Sequence, residues 1–268
     1  MYSSVRHASV RPVGDHLREW RQRRRLSQLD LACDAEVSTR HLSFVETGRS
    51  QPSREMVLRL AERLEVPLRE RNALLVAAGY APSFPERSMD DPDLAEARRA
   101  VELVLAGHEP FPALAVDRWW NLVSANRAVA PLLEGIDPAL LAAPANVLRI
   151  SLHPQGLAPR VVNFSEWRTH LLDRLRRQVE ISADPRLSDL LDELRAYHQP
   201  AAQPGVPRHG GSHGGVAVPV QLKTSGGVLN FITTTTVFGT AIDVTLSELT
   251  LECFFPADAA TARALATG

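Results

Sequence analysis

The stretch LSQLDLACDAEVSTRHLSFVETGRSQPS at residues 26–53 decides the fold of the N-terminal part of the chain. Ser27 and Ser38 each stand before a short segment whose apolar residues recur at helical spacing, and a serine there can accept a hydrogen bond from a free amide of the first helical turn. A turn of about three to four residues separates the two segments. Gly48 follows the second segment, where glycine commonly ends a helix. The pattern predicts two short helices joined by a tight turn.

Segments on both sides of this pair have the same periodicity. Leu17 and Trp20 form the apolar stripe of a helix that precedes the pair, and apolar residues recur at helical spacing in residues 53–64 and 68–78. The sequence therefore predicts an all-α domain of five short helices within residues 1–80.

The helix pair resembles the DNA-binding domain of the lambda-repressor-like family, also called Cro/CI or XRE. The resemblance covers about residues 12–80. The matching positions are Ser27-Gln28, Leu31-Ala32, Val37-Ser38, Leu42, Val45-Glu46, Gly48-Arg49 and Pro52. It implies a helix-turn-helix whose second helix, the recognition helix, lies in the major groove of double-stranded DNA. It also implies an ion pair between Glu46 and Arg21 of the first helix.

The same resemblance places DNA contacts on the recognition helix, on the helix before it and in the loop after it. The residues expected to bind DNA are Gln28, Ser38, Thr39, Arg40, Ser43, Phe44, Arg49, Ser50 and Arg54. Arg40 can donate two hydrogen bonds to guanine, while Thr39 and Phe44 can contact a base edge or a thymine methyl. Gln28 and the loop residues suit phosphate contacts. For Phe44, packing in a core or a dimer contact stays open as an alternative.

Charge is divided unevenly along the chain. Residues 1–88 hold 15 basic and 11 acidic side chains, a net charge of +4, whereas the remainder holds 15 basic and 20 acidic side chains, a net charge of −5. A basic segment on an acidic remainder favours a polyanionic partner for the N-terminal part alone. The charge pattern therefore agrees with the expected binding of double-stranded DNA.

A change of composition separates this part from the rest of the chain. Residues 81–93 contain three prolines together with serines and acidic residues, which is typical of a linker. Over residues 94–268 the pattern predicts an α/β domain with early strands, helices in the middle and an antiparallel run at the end. Residues 113–117 and 119–123 are predicted as a strand pair or as one long bent strand. Residues 216–222 and 228–238 are predicted as strands joined by a hairpin turn at residues 225–227, and residues 246–255 as the last strand or strand pair.

This second domain resembles the ligand-binding domain of MmyB-like regulators, which join a lambda-repressor-like domain to a PAS-like domain. The resemblance covers about residues 95–255 and is carried by Asp117, Trp120, Asn126, Leu148 and Trp167. It implies an apolar pocket that can hold a fatty acid. The residues expected to bind such a ligand are Trp119, Trp120, Asn126, Phe164, Trp167 and Phe231. Ordinary core packing stays open for the aromatic residues, as does a turn hydrogen bond for Asn126.

The chain departs from that family just before its final strands. The loop GVPRHGGSHGG at residues 205–215 stands where the family has a His-Pro stretch. His209 and His213 in this loop, with His198 nearby, raise the alternative of a metal site. Because a Gly-rich loop does not place two rings on one face as a helix would, no metal is expected. The sequence assigns no role to this loop.

Other classes of protein have little support in the sequence. No P-loop and no His-Glu-x-x-His motif is present, so an enzyme is not expected. Cys33 and Cys253 form neither a disulfide framework nor a ligand-spaced cluster, which favours a reducing cytoplasm. Neither a membrane-spanning nor a secretory segment is predicted.

The sequence thus predicts a cytoplasmic, sequence-specific transcription regulator that binds palindromic DNA as a homodimer and senses a small hydrophobic ligand. Apart from a bound fatty acid or similar apolar molecule, no cofactor is expected. The alternative is a protein-interaction module that keeps the helix-turn-helix fold but does not bind DNA.

Overall fold

The computed structural model describes residues 11–198, 218–239 and 241–266, which fall into two compact units. The first unit ends at Glu86 and includes the short segment Ile242–Val244, and the second begins at Arg87. The division lies inside residues 81–93, the segment whose composition predicts a linker.

Between residues 13 and 77 the first unit consists of α-helices joined by short turns and loops. Its helices are α1 (Val13–Arg23), α2 (Gln28–Asp34), α3 (Thr39–Glu46), α4 (Arg54–Arg63) and α5 (Leu68–Ala77). The predicted serine caps are present: the hydroxyl oxygens of Ser27 and Ser38 accept hydrogen bonds of 3.1 Å from the amides of Asp30 and His41. The helical prediction for this region is therefore confirmed.

The core of this unit brings α1 and α3 unusually close. Leu17 of α1 and Leu42 of α3 are fully buried in it. A methyl group at Gly14 would lie 2.3 Å from the carbonyl oxygen of Val45, which is far inside van der Waals contact. Glycine at this position therefore permits the close approach of the two helices.

The second unit combines helices with an antiparallel sheet. Beyond Glu86 the described helices are α6 (Ala95–Gly107), α7 (Pro138–Leu141), α8 (Val147–Leu152), α9 (Phe164–Ser182), α10 (Pro185–Ala196), α11 (Val244–Glu248) and α12 (Ala259–Ala266). The strands are β1 (Ala113–Val116), β2 (Leu122–Ala125), β3 (Val220–Thr224), β4 (Gly227–Val237) and β5 (Thr250–Pro256). Short 3₁₀ helices cover Pro92–Leu94, Arg127–Leu133 and Ala158–Arg160.

The described strands form one sheet in the order β2-β1-β5-β4-β3. β3 and β4 are joined by a two-residue turn at Ser225 and Gly226, which confirms the predicted hairpin. One face of the sheet packs against α8, α9 and α10, with Phe231 almost fully buried there. Val101 and Leu105 of α6 pack with residues of the opposite face. The predicted all-α domain followed by an α/β domain is confirmed as the fold class.

Three predicted strands are wrong at their start. For the strand predicted at residues 216–222, β3 begins only at Val220, and Val218 and Pro219 lie outside it. Trp119 and Trp120 lie in a turn, and β2 begins only at Leu122. The carboxylate of Asp117 accepts hydrogen bonds of 2.8 Å from the amides of Trp119 and Asn121, and this closes the turn. Trp120 itself has a positive φ of 67°.

The last predicted strand is also shorter than its apolar pattern indicates. Residues 246–248 belong to α11, and β5 begins at Thr250. Leu246 and Leu249 are three residues apart, a spacing that suits one face of a helical turn, and the amide of Leu249 donates to the carbonyl of Leu246. Residues 127–133 form a 3₁₀ helix that contains Pro131.

Within the described ranges, no helix has the length and apolar character needed to cross a membrane.

Candidate functional site

The recognition helix α3 turns one face into the core and leaves the other accessible. Leu42 and Val45 are buried. The opposite face carries Thr39, Ser43 and Phe44, which are half-buried, and Arg40, which is exposed. The helix thus presents a hydroxyl, a guanidinium and an aromatic ring along one side, the groups that recognise base edges and thymine methyls.

Arg40 and Phe44 are not independent of one another. The guanidinium carbon of Arg40 lies 5.4 Å from the centre of the Phe44 ring, one helical turn away. At this distance the cation is attracted to the face of the ring. Phe44 therefore helps to orient the exposed arginine, a role that neither predicted alternative for Phe44 includes.

The loop after α3 carries further predicted DNA contacts. Arg49 is exposed and Ser50 is half-buried, and their amides both donate to the carbonyl of Phe44, at 2.8 and 3.2 Å. Gly48, with a φ of 72°, makes this turn possible. Arg54 is exposed, and its guanidinium donates a 2.6 Å hydrogen bond to the hydroxyl of Ser83. Arg49 and Ser50 thus form a compact extension of the α3 surface.

A buried carboxylate ties the recognition helix to the helices before it. Glu46 accepts hydrogen bonds of 2.7 and 2.8 Å from the guanidinium of Arg21, and its oxygen also lies 3.6 Å from Arg18. Burial alone raises the pKa of Glu46, but hydrogen bonds from Arg21 and Gln28 outweigh it, so this pKa lies below its usual range. The ion pair implied by the first resemblance is therefore present.

Gln28 makes a contact within the protein in addition to the one that the resemblance implies. Its amide nitrogen donates a 2.7 Å hydrogen bond to Glu46, so this nitrogen is engaged inside the protein. Gln28 stays half-buried at the first residue of α2. The structure thus gives its side chain a bracing role within the domain, beside the phosphate contact that remains a prediction.

The second unit contains a cavity of about 120 Å³ between the sheet and the helices that cover it. Most of its lining is apolar, including Leu114, Leu148, Leu171 and Leu222. Of the predicted ligand-binding side chains, Trp120, Trp167 and Phe231 line the cavity, together with Phe254. A cavity with this lining favours an apolar occupant.

Asn126 does not line this cavity, contrary to the sequence prediction. Its amide nitrogen donates to the carbonyls of Leu105 and Phe111, at 3.0 and 2.8 Å, and its oxygen accepts a 3.1 Å hydrogen bond from the amide of Ala113. These three bonds engage the side chain inside the protein, where it is only 7% exposed. Asn126 therefore braces the start of β1, as the open alternative of a turn hydrogen bond foresees.

Trp119 and Phe164 also lie outside the cavity lining. The indole nitrogen of Trp119 donates a 2.9 Å hydrogen bond to Asp184, and the guanidinium of Arg186 lies 4.8 Å from its ring. Phe164 packs against the core at the start of α9. For both residues the core-packing alternative describes the structure better than ligand binding.

The polar atoms around the cavity include an ion pair that the sequence prediction missed. Arg174 of α9 and Glu252 of β5 both line the cavity, and two hydrogen bonds of 2.9 and 2.5 Å join them. Glu252 faces the cavity because it pairs across the sheet with Leu114, another lining residue. A signal was present in the sequence: Arg174 follows Trp167 by seven positions, which places both on one face of a helix.

The indole N–H groups of the two cavity tryptophans are engaged within the protein. Trp167 donates a 2.9 Å hydrogen bond to the hydroxyl of Ser151, and Trp120 donates a 2.7 Å hydrogen bond to Gln178. The rings therefore contribute apolar surface to the cavity, and they do not offer free donors to a ligand.

The Gly- and His-rich loop lies outside the described residues, so the structure gives no position for His209 or His213. The string GGSHG at residues 210–214 of this loop also fits the letters of the GxSxG pattern of hydrolases. That pattern indicates a hydrolase only on a strand-to-helix turn, and no apolar strand pattern precedes it here.

In the described ranges, no group of three His, Cys, Asp or Glu side chains is placed to hold a metal ion.

A helix-turn-helix unit followed by a cavity-bearing α/β domain is the architecture of a regulator that combines DNA and ligand recognition in one chain. A family model for the ligand-binding domain of MmyB-like transcription regulators matches residues 97–267, and a helix-turn-helix family model matches residues 12–74. The chain therefore belongs to the family of MmyB-like transcription regulators.

Two curated relatives are named as HTH-type transcriptional regulators. RghRB of Bacillus subtilis, named as an uncharacterized HTH-type transcriptional regulator, is 30% identical over 114 residues, which is 41% of this chain and 80% of that protein. A protein of Methanoculleus marisnigri, named as an HTH-type transcriptional regulatory protein, is 35% identical over 120 residues, or 43% of this chain. The match spans 38% of the length of the archaeal protein.

Proposed function

We propose that this protein is a sequence-specific DNA-binding transcription regulator whose affinity for DNA responds to a small apolar ligand in the second unit. The observation that carries the proposal is the accessible face of α3, where Thr39, Arg40, Ser43 and Phe44 stand opposite the buried Leu42 and Val45. That face matches what a helix needs in order to enter a major groove.

For the DNA-binding step, Arg40 donates to a guanine and the loop residues Arg49 and Ser50 contact the phosphates. We propose that the protein acts as a homodimer, so that two recognition helices meet successive major grooves, roughly 34 Å apart, on a palindromic site. A regulator of this kind has to share a compartment with the DNA that it binds. This requirement agrees with the cytoplasmic location expected from the sequence.

For the ligand-binding step, the cavity lined by Trp120, Trp167 and Phe231 accepts an apolar chain like that of a fatty acid. Its volume of about 120 Å³ limits the length of the chain that it can hold. The ligand changes DNA affinity only to the extent that it binds one arrangement of the dimer more tightly than another.

The DNA-binding step is tested by selecting bound sequences from a random pool with the full-length chain, and then measuring affinity for the selected site. Arg40→Ala is expected to weaken binding by about 1–3 kcal/mol and to relax specificity at one base pair. Arg63→Ala, which removes an exposed arginine at the far end of α4, is the matched control and is expected to leave specificity unchanged.

Two outcomes would contradict the DNA-binding step. If Arg40→Ala weakens all sequences equally, Arg40 contacts phosphate and the assignment of base recognition is wrong. If the chain retains no oligonucleotide even at low salt, the helix-turn-helix is a protein-interaction module. The ligand-binding step fails if removal and restoration of the apolar ligand leave the affinity for the selected site unchanged.

A further inference from the structure

Of the described residues that line the cavity, only Arg174 and Glu252 carry a charge. Their guanidinium and carboxylate are joined by two hydrogen bonds of 2.9 and 2.5 Å, the strongest arrangement that an arginine and a carboxylate form. The Glu252 side chain is 6% exposed and the Arg174 side chain 23% exposed, so the carboxylate is buried while the guanidinium keeps some access to solvent.

The surroundings fix this pair in place. The guanidinium of Arg174 also donates a 2.8 Å hydrogen bond to the hydroxyl of Thr235, and its central carbon lies 4.6 Å from the ring of Trp120. The other lining side chains with polar atoms are neutral: the hydroxyls of Ser151 and Thr233, and the indoles of Trp120 and Trp167. The described side chains of the lining thus carry no net charge.

We infer that the cavity selects a ligand with an uncharged head group, such as a medium-chain alcohol, ketone or ester, and disfavours the carboxylate of a fatty acid. This inference rests on the proposed ligand-binding function of the cavity. Glu252 is the residue that determines this specificity. Its carboxylate already accepts hydrogen bonds from the guanidinium of Arg174, which would otherwise bind the anionic head group of a ligand.

The physical reason lies in the exchange that a carboxylate ligand would require. To pair with Arg174, the ligand has to displace Glu252, and a buried carboxylate would then be left without its partner, which is strongly unfavourable. If Glu252 stays in place, the ligand carboxylate enters an apolar site beside a negative charge. An alcohol or carbonyl avoids both costs, since it can hydrogen-bond to the neutral hydroxyls of Ser151 or Thr233.

The test compares octanol, octanoate and octylamine, which share one chain and differ in the charge of the head group. Binding of each to the full-length protein, freed of apolar molecules, is measured by titration calorimetry near neutral pH. Octanol is expected to bind more tightly than octanoate and octylamine by roughly tenfold or more. Equal or tighter binding of either charged molecule overturns the inference.

Glu252→Gln provides the second arm because it keeps the shape of the side chain and frees Arg174 from its counter-charge. Octanoate is expected to bind this variant roughly tenfold to a hundredfold more tightly than the unaltered protein, the range of one charge-assisted hydrogen bond. Glu193→Gln is the matched control, since Glu193 forms a similar two-bond pair with Arg149 outside the cavity lining. It is expected to change none of the affinities.

The outcomes separate this inference from the proposed function. If folded Glu252→Gln protein binds octanoate no better, the inference is wrong while the cavity remains a ligand site. If none of the three molecules binds, the ligand-binding function itself is wrong, and the inference falls with it. If Glu252→Gln does not fold, the head-group preference of the unaltered protein decides the question without the variant.

Discussion

Two buried carboxylates, Glu46 in the first unit and Glu252 in the second, are each paired with an arginine, yet their surroundings differ. Glu46 accepts hydrogen bonds from Arg21 and Gln28 and lies close to Arg18, all within a packed helical core. Glu252 relies on Arg174 and a weak contact with Thr235, beside a cavity. We assign Glu46, held by several donors in a packed core, to the fold, whereas Glu252, at a cavity wall, is also placed for the recognition that we propose.

The largest effect is expected from Glu46→Ala. The variant leaves the guanidinium of Arg21, whose side chain is 11% exposed, without its carboxylate, and breaking a buried pair in this way costs about 3–5 kcal/mol. The free energy of unfolding, measured with urea on the full-length chain, checks this.

Glu19→Ala is the matched control for Glu46→Ala, because Glu19 pairs with Arg11 and Arg23 at the surface of the same unit. It is expected to cost less than about 1 kcal/mol. Equal losses for the two variants would mean that Glu46 has no greater structural role than a surface acid.

A smaller effect is expected from Gly14→Ala, which tests how the Glu46 cluster is assembled. The added methyl group would lie 2.3 Å from the carbonyl oxygen of Val45 and would push α1, the helix that carries Arg21, away from α3. Overpacking of this kind typically costs about 1–3 kcal/mol. Gly107→Ala is the control, since a methyl group there meets no atom within 4 Å, and the same urea measurement should show no loss for it.

The smallest effect is expected from pH. The pKa of Glu46 is lowered in the folded protein, so the unfolded chain binds more protons in the acid range. The stabilisation by Glu46 is therefore complete above the ordinary glutamate pKa of about 4.3 and declines as the pH falls through the lower folded-state value. The stability difference between the unaltered protein and Glu46→Gln should narrow in acid. A difference that is constant or widens would contradict the direction of the shift.

The sequence predicted the first unit well because its signals are local. In each of the caps Ser27 and Ser38, the serine hydroxyl accepts a hydrogen bond from an amide three residues along the chain. The apolar spacing of α1 to α5 likewise repeats within single helices. The Arg21–Glu46 pair spans 25 positions, and it was anticipated only because the resemblance to a known domain supplied it.

The second unit was harder to predict because its site is assembled from distant segments. Arg174 and Glu252 are separated by 78 positions, and only the register of β5 against β1 shows that Glu252 faces the cavity. The bulky aromatic residues predicted the cavity lining in part, since Trp120, Trp167 and Phe231 line the cavity. Trp119 packs elsewhere because the turn at Asp117 orients the two neighbouring tryptophans differently. Turn geometry of that kind depends on single hydrogen bonds, which periodicity does not reveal.

The contact between Arg40 and Phe44 has a thermodynamic consequence. A long arginine side chain in water samples many rotamers, and the entropy lost when it is ordered opposes association. Because the ring of Phe44 already restricts the Arg40 guanidinium in the free protein, part of that entropy is lost during folding and would not oppose the proposed binding of DNA. In that proposal, Phe44 would lower the entropic cost of ordering Arg40 without itself forming a hydrogen bond with a base.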